Sequence, residues 1–279
     1  MEKNMKITKN IKRLIVAATV AVTSITAFSA PASADSVLID IQKRGSLKVG
    51  MATFVPWAMR DKEGNLIGFE IDVAKKLAKD MGVEVEFVPT AWSGIIPALI
   101  AKKFDVIIGG MSITAQRNLT VNFTQPYAHS GQQMASNIEL TGSFSSMDDY
   151  NDTSVTISCR RGATPCNFAQ KRFPKATLLR FDDDAQAFQE VVNGNAHATI
   201  SSAPKPRFWA EGYPDKVFVA NDGKNLSRGD EAFALRKGDS DAVNFFSNWI
   251  LVNSSNGWLD ETHAYWFEDQ SAWKDMVAK

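Results

Sequence analysis

Two cysteines and three histidines in 279 residues are too few for a disulfide scaffold, a four-cysteine zinc site or a histidine-rich metal centre. An excess of charge of one sign is missing too. The 31 Lys and Arg meet 31 Asp and Glu, so the net charge is zero and a strongly basic nucleic-acid binder is excluded. No apolar run reaches the ~20 residues that a membrane-spanning helix needs. There is no Gly-rich phosphate loop and no Ser–His–Asp signature, and His129, His197 and His263 stand in no recognised context. No short period repeats, which removes a solenoid. What remains is 44% hydrophobic and 22% charged, an ordinary globular chain long enough for one large domain or two smaller ones. No metal and no cofactor is expected.

The zero charge conceals an uneven start. Lys3, Lys6, Lys9, Lys12 and Arg13 precede an uncharged stretch from Leu14 to Phe28, and Ala32-Ser33-Ala34 then gives a small-residue cleavage pattern. That order predicts a secretory signal peptide over residues 1–34. Its removal takes away five basic residues and one acidic residue. It leaves 245 of the 279 residues with 26 basic and 30 acidic groups, a net charge of −4. A lipid anchor requires a cysteine at the mature N-terminus, and the cysteines are Cys159 and Cys166. The expected location is therefore the periplasm, unanchored. In that oxidising compartment Cys159 and Cys166, which flank a strand-to-helix loop, are expected to form a disulfide.

Strand and helix patterns alternate along the rest. Leu47–Met51 reads as a strand, and Ile71, Ala74, Leu77, Ala78 and Met81 share one helix face. Val83–Val88 alternates as a half-exposed strand should. Ser93 is placed to cap a helix through Ala101, and Phe104–Ile108 suits a strand buried on both faces. The alternation then recurs: strand 155–159, helix 165–172, strand 176–181, a helix from Asp183 or Asp184 to Val192, strand 196–200 and helix 204–211. Two helices, 242–253 and 258–267, close the chain on either side of Asn256-Gly257. Residues 131–137 and 231–235 look like extended crossings. The expected fold class is α/β, two α/β lobes joined by a two-strand hinge. Lobe 1 takes residues 35–131 plus 231–279, and lobe 2 takes 132–230. In such folds ligands bind at the carboxyl ends of the strands, here in the cleft between lobes.

The residues at those strand ends resemble a known family. Gly68-Phe69-Glu70-Ile71-Asp72-Val73-Ala74, Trp92-Ser93-Gly94-Ile95-Ile96-Pro97-Ala98-Leu99 and Gly110-Met111-Ser112-Ile113-Thr114-Ala115-Gln116-Arg117 are similar to motifs of the periplasmic solute-binding proteins for polar amino acids. So are Asn122-Phe123-Thr124-Gln125-Pro126-Tyr127, Arg161-Gly162-Ala163-Thr164 and Ala232-Phe233-Ala234-Leu235-Arg236-Lys237-Gly238-Asp239. They fall in the family's order across the whole mature chain. The resemblance implies a type II periplasmic binding-protein fold, a monomer that closes on one small solute and delivers it to the membrane permease of an ABC importer.

On that reading Arg117 holds a ligand carboxylate with its planar fork, a geometry lysine cannot match. Ser112 donates to the same carboxylate, and the Gly110 carbonyl accepts from a ligand ammonium. Phe54 and Trp92, with Trp57 nearby, supply aromatic faces for the ligand body. Ala163 and Thr164 open a helix whose N–H groups favour an anion. The remaining tryptophans, Trp209, Trp249, Trp258, Trp266 and Trp273, are assigned to packing.

One position departs from the family. Ser202 stands where the resemblance places an Asp for the α-ammonium, and no acid follows the first strand, so basic amino acids are poor candidates. Arg160 and Arg161 either pair with Asp182–Asp184 or accept an anionic group. The ligand classes left open are an acidic or neutral amino acid, an amine-free carboxylate, and a quaternary cation between aromatics. The alternative function is a cyclohexadienyl (prephenate or arogenate) dehydratase-like lyase on the same scaffold. Lys205 opposes it by standing where the resemblance places the acid catalyst, leaving Glu231 and Asp182 as substitutes.

Overall fold

The computed structural model describes residues 36–268 and 270–277, part of one compact unit, Ser36–Lys279. The expected signal peptide lies outside the described residues. Among the described residues, no helix is long and apolar enough to cross a membrane.

The chain opens with α1 (Val37–Arg44), capped by Ser36, and enters β1 (Ser46–Met51). Gly50 in β1 has a physical reason: a Cβ there would sit 2.3 Å from the Phe104 ring. A small hairpin of β2 (Met59–Arg60) and β3 (Leu66–Ile67) leads into α2 (Phe69–Met81). Its buried residues include Ile71, Ala74, Leu77 and Ala78, four of the five expected from the periodicity. Then come β4 (Glu84–Pro89), α3 (Ile95–Ile100), β5 (Val106–Ile107) and α4 (Ala115–Asn118).

Strand β6 (Val121–Asn137) is 17 residues long. After it come α5 (Ile138–Thr141), β7 (Thr156–Arg160), α6 (Thr164–Arg172), β8 (Thr177–Phe181), α7 (Asp184–Val192), β9 (Ala198–Ser202), α8 (Lys205–Gly212) and β10 (Val217–Val219). The chain returns along β11 (Ser227–Arg236) and ends in α9 (Ser240–Ser255) and α10 (Trp258–Phe267).

The strand order is β4-β1-β5-β11-β6-β9-β7-β8, with β10 on β6. The outer pairs β1–β4, β1–β5, β7–β8 and β7–β9 are parallel, and β6 and β11 run antiparallel to each other. One parallel group therefore lies on each side of two long crossing strands, the two-lobed α/β architecture expected. The core divides likewise. The largest apolar cluster joins residues 37–128 to 233–273, and a second spans 134–220. Fully burying side chains such as Phe69, Phe173 and Phe233 contributes about 1.5–3 kcal/mol each.

Three local expectations change. Ser93 caps nothing: it lies inside a 3-10 turn, Trp92–Gly94, and α3 starts after Gly94. The strand expected over 104–108 narrows to Val106–Ile107, because Phe104 turns into the core under Gly50 and Asp105 accepts from the Lys48 N–H at 2.8 Å. The crossings are longer than expected, with β6 starting at Val121 and β11 at Ser227.

Candidate functional site

The carboxyl ends of β1, β5, β7 and β9 converge, and most of the singled-out side chains meet there. Arg117 sits on α4, whose Thr114 cap accepts the Arg117 N–H at 3.1 Å. Its guanidinium donates to the Ser112 carbonyl at 2.8 Å and to the Gly162 carbonyl at 3.0 Å. The first carbonyl belongs to the β5–α4 loop and the second to the β7–α6 loop, so this side chain ties the two halves together. Burial, and then the charge of Arg160, lowers its pKa to about 10. A second tie runs from Ser112 Oγ to Thr164 Oγ1 at 3.2 Å. Thr164 opens α6, whose N-cap Ala163 offers no side-chain cap, and Ala163 is buried against the Trp92 cluster.

Gly110 has φ +64°, and a Cβ would lie 2.8 Å from the Trp57 indole, so both backbone and space call for glycine. Its N–H donates to Tyr127 Oη at 3.2 Å, and the Tyr127 hydroxyl donates to Glu70 at 2.6 Å. Glu70 is fully buried, and desolvation pushes its carboxyl well above the usual range. Glu231, also raised by burial, accepts from Trp57 Nε1 at 3.1 Å and from Ser130 Oγ at 2.5 Å. Sequence reading missed Glu70 and Tyr127 as a pair, since nothing in their spacing of 57 residues links them.

Phe54 and Trp92 are each 6% exposed. Trp57 is placed differently from a ligand-facing aromatic: it is 1% exposed and stacks behind Phe54 at 4.4 Å. The expected packing role of the other tryptophans agrees with their places on helices or in the core. Trp266 donates to Asp72 and Trp273 donates to the Trp266 carbonyl.

The two arginines part company. Arg161 is exposed, pairs with Asp182 at 3.1 Å and donates to the Arg180 carbonyl, which takes it out of the site. Arg160 turns inward, 7% exposed, with Nε 3.3 Å from Asp184 Oδ2. Its guanidinium carbon lies 4.6 Å from the Phe54 ring and 4.8 Å from the Trp92 ring. Lys205, at the start of α8, was not singled out as a ligand group, yet it is buried here with Nζ 4.7 Å from Phe54 and 3.9 Å from Asp184. Burial lowers its pKa. The signal that could have found it was its place three residues past the end of a strand aimed at the cleft. Ser202 ends β9 opposite Gln132 and is half-buried.

Cys159 and Cys166 are bonded, with Cα atoms 5.2 Å apart. The bridge spans the β7–α6 connection, with Arg160 at the end of β7 and Gly162 and Ala163 in the loop. At the mouth of the cleft a cavity of about 360 Å³ is lined by Thr53, Thr90, Trp92, Arg160 and Asp183 among others.

Comparison with known proteins agrees with this fold. The chain is 28% identical over 249 residues to the L-cystine-binding protein TcyJ of Escherichia coli (strain K12), covering 88% of this chain and 92% of that one. It is similar in structure to the ancestral amino acid-binding protein AncCDT-1, a precursor of cyclohexadienyl dehydratase. There the TM-score is 0.76 and the identity 38%, over 83% of this chain and 99% of that one. It is equally similar to a putative binding component of an ABC transporter from Wolinella succinogenes complexed with lysine, with TM-score 0.76, 36% identity and the same coverage. Residues 47–269 match the family description itself, and the chain belongs to the bacterial extracellular solute-binding proteins, family 3.

Proposed function

We propose that this chain is the substrate-binding component of an ABC importer, capturing an amino acid or amino-acid-like carboxylate in the cleft and presenting it to a membrane permease. The observation that carries the reading is Arg117. A guanidinium has five N–H donors, and the two carbonyl bonds leave the rest for a carboxylate. Ser112 and Thr164 add hydroxyls at the same point, beside the Phe54 and Trp92 rings. The lobes are taken as 35–131 with 231–279, and 132–230. A ligand bound by both would favour closure by its differential affinity for the closed state. The protein acts in the periplasm as an unanchored monomer after cleavage of the signal peptide.

Binding without turnover fits these residues better than lyase chemistry. Lys205 presents an amine where the resemblance to the dehydratases places their acid catalyst. Asp182 is exposed and paired with Arg161, and Glu231 is held by Trp57 and Ser130. The test is a thermal-shift screen of amino acids and small carboxylates, followed by recovery of the bound compound. A tight ligand at 1,000-fold excess over Kd stabilises by about 4 kcal/mol. A ligand recovered unchanged supports the reading; consumption of prephenate or arogenate would overturn it.

A further inference from the structure

The aromatic faces of the cleft are already occupied by cations of the chain itself. Arg160 from the end of β7 lies against both Phe54 and Trp92, and Lys205 from α8 lies against Phe54. Such faces attract a cation, and here two are built in. A cationic ligand side chain would have to displace them, or meet their like charge at short range in a dry site.

The two cations also have donors to spare. Asp184 is the carboxylate ion-paired with both, and its Oδ1 accepts from Ser201 Oγ at 3.1 Å. Neither Arg160 nor Lys205 donates a side-chain hydrogen bond to the described residues. Arg160 Nε is buried with no acceptor in bonding geometry. It faces Asp184 Oδ2, likewise without a hydrogen bond, at 3.3 Å, so the donors left for an anionic ligand group are the rest of the Arg160 fork and the Lys205 ammonium. Arg117 brings a third positive charge, 5.7 Å from the same Trp92 ring.

We propose that the ligand is a small dianion carrying two carboxylates, an acidic amino acid or its amine-free dicarboxylate counterpart. One carboxylate is held by Arg117 with Ser112 and Thr164, the other by Arg160 and Lys205. The assignment rests on the reading of the cleft as the ligand site. Lys205 and Arg160 then set specificity: they accept a second negative charge and reject lysine- and arginine-like side chains.

Titration calorimetry on protein stripped of ligand by unfolding and refolding tests this. The probes are aspartate, glutamate, succinate, glutarate, glutamine, lysine and arginine. At least one of the four diacids is expected to bind more than 100-fold tighter than glutamine, lysine or arginine. Amino diacids binding tighter than amine-free ones, or the reverse, identifies which member of the class is taken. Arg160→Gln is expected to weaken the diacid at least tenfold and to leave glutamine within a factor of three. Lys205→Met is expected to act in the same direction. The selectivity of the unmodified chain decides the matter even if a variant folds poorly. Glutamine, lysine or arginine binding as tightly as the diacids overturns the dianion assignment while leaving the capture function intact. No binding by any of the seven also overturns the dianion assignment, and leaves the capture function to the broader thermal-shift screen.

Discussion

Arg117 donates to the carbonyl of Gly162 at 3.0 Å across 45 residues of sequence, so the residue placed to hold a ligand also bridges the two halves of the fold. Arg117→Lys keeps the charge but has one ammonium for three tasks: two carbonyls and a carboxylate. Calorimetry is expected to show affinity falling about 100-fold, the scale of losing one bidentate charge-assisted contact of roughly 2–3 kcal/mol. Unchanged affinity would remove Arg117 from the site.

Gly110→Ala tests the backbone beneath the ligand. The φ of +64° and the 2.8 Å approach to Trp57 both oppose a Cβ. Left-handed backbone alone costs about 1–2 kcal/mol in a non-glycine residue, and displacement of the indole adds to it. Urea unfolding should move its midpoint down at constant slope, and an unmoved midpoint would show that the loop relaxes freely.

Ser202→Asp restores a carboxylate near the cleft. It is expected to raise affinity for α-amino acids relative to amine-free acids of the same length, measured as the glutamate-to-glutarate ratio. A ratio that stays constant would show that position 202 does not face a ligand ammonium.

Glu70 gives a pH signature. Its folded pKa lies well above the ordinary value of 4.5, chiefly through burial. The unfolded chain therefore releases that proton first as pH rises, and the folded state binds more protons between the two values. Stability attached to this group is full below about pH 4.5 and declines as pH rises toward the folded value. Unfolding curves of the native chain minus those of Glu70→Gln should show this decline. A difference that is flat, or that grows with pH, would contradict it.

The disulfide closes a short loop, Cys159 to Cys166. Loop-closure entropy for so few residues amounts to about 2–3 kcal/mol, so Cys159→Ser with Cys166→Ser should lower the unfolding free energy by that order. Because the bridged segment includes Arg160 at the end of β7 and Gly162 in the loop, ligand affinity should fall as well. Loss of stability with full affinity would show that the loop holds its shape unaided.

Much of this was legible beforehand where a residue's role is local. Helix 258–267 was read with its observed bounds, because Asn256 ends α9 and Gly257, at φ +82°, begins the next turn. The sequence leaves Asp183 and Asp184 as alternative helix starts, and the structure makes Asp183 the cap, its side chain accepting from the Ala185 N–H at 2.6 Å. Two-residue strands such as β2 and β3 carry no period and could not be read. The site was legible in its motifs and illegible in its directions. Arg160 and Arg161 looked equivalent in sequence. They diverge because consecutive residues at a strand end point to opposite sides, and the end of β7 was placed one residue early. Lys205 needed the third dimension, since its neighbours Phe54 and Asp184 lie 151 and 21 residues away.

The two crossing strands carry a further implication for how the molecule opens. β6 and β11 are bonded to each other along their length, but their register shifts between Glu231 and Ala232 and again between Ala232 and Ala234. At these points the ladder between the two strands is interrupted, and the Ala232 and Phe233 N–H groups turn to the Met111 carbonyl and to Thr124 Oγ1 instead, so a bend there breaks few bonds between β6 and β11. Flexing at Glu231–Ala234 would reorient the lobes while the pairing on either side stays whole. The molecule would then release its cargo by a twist of one ribbon, with no strand pulled apart and no new edge offered to a neighbouring chain.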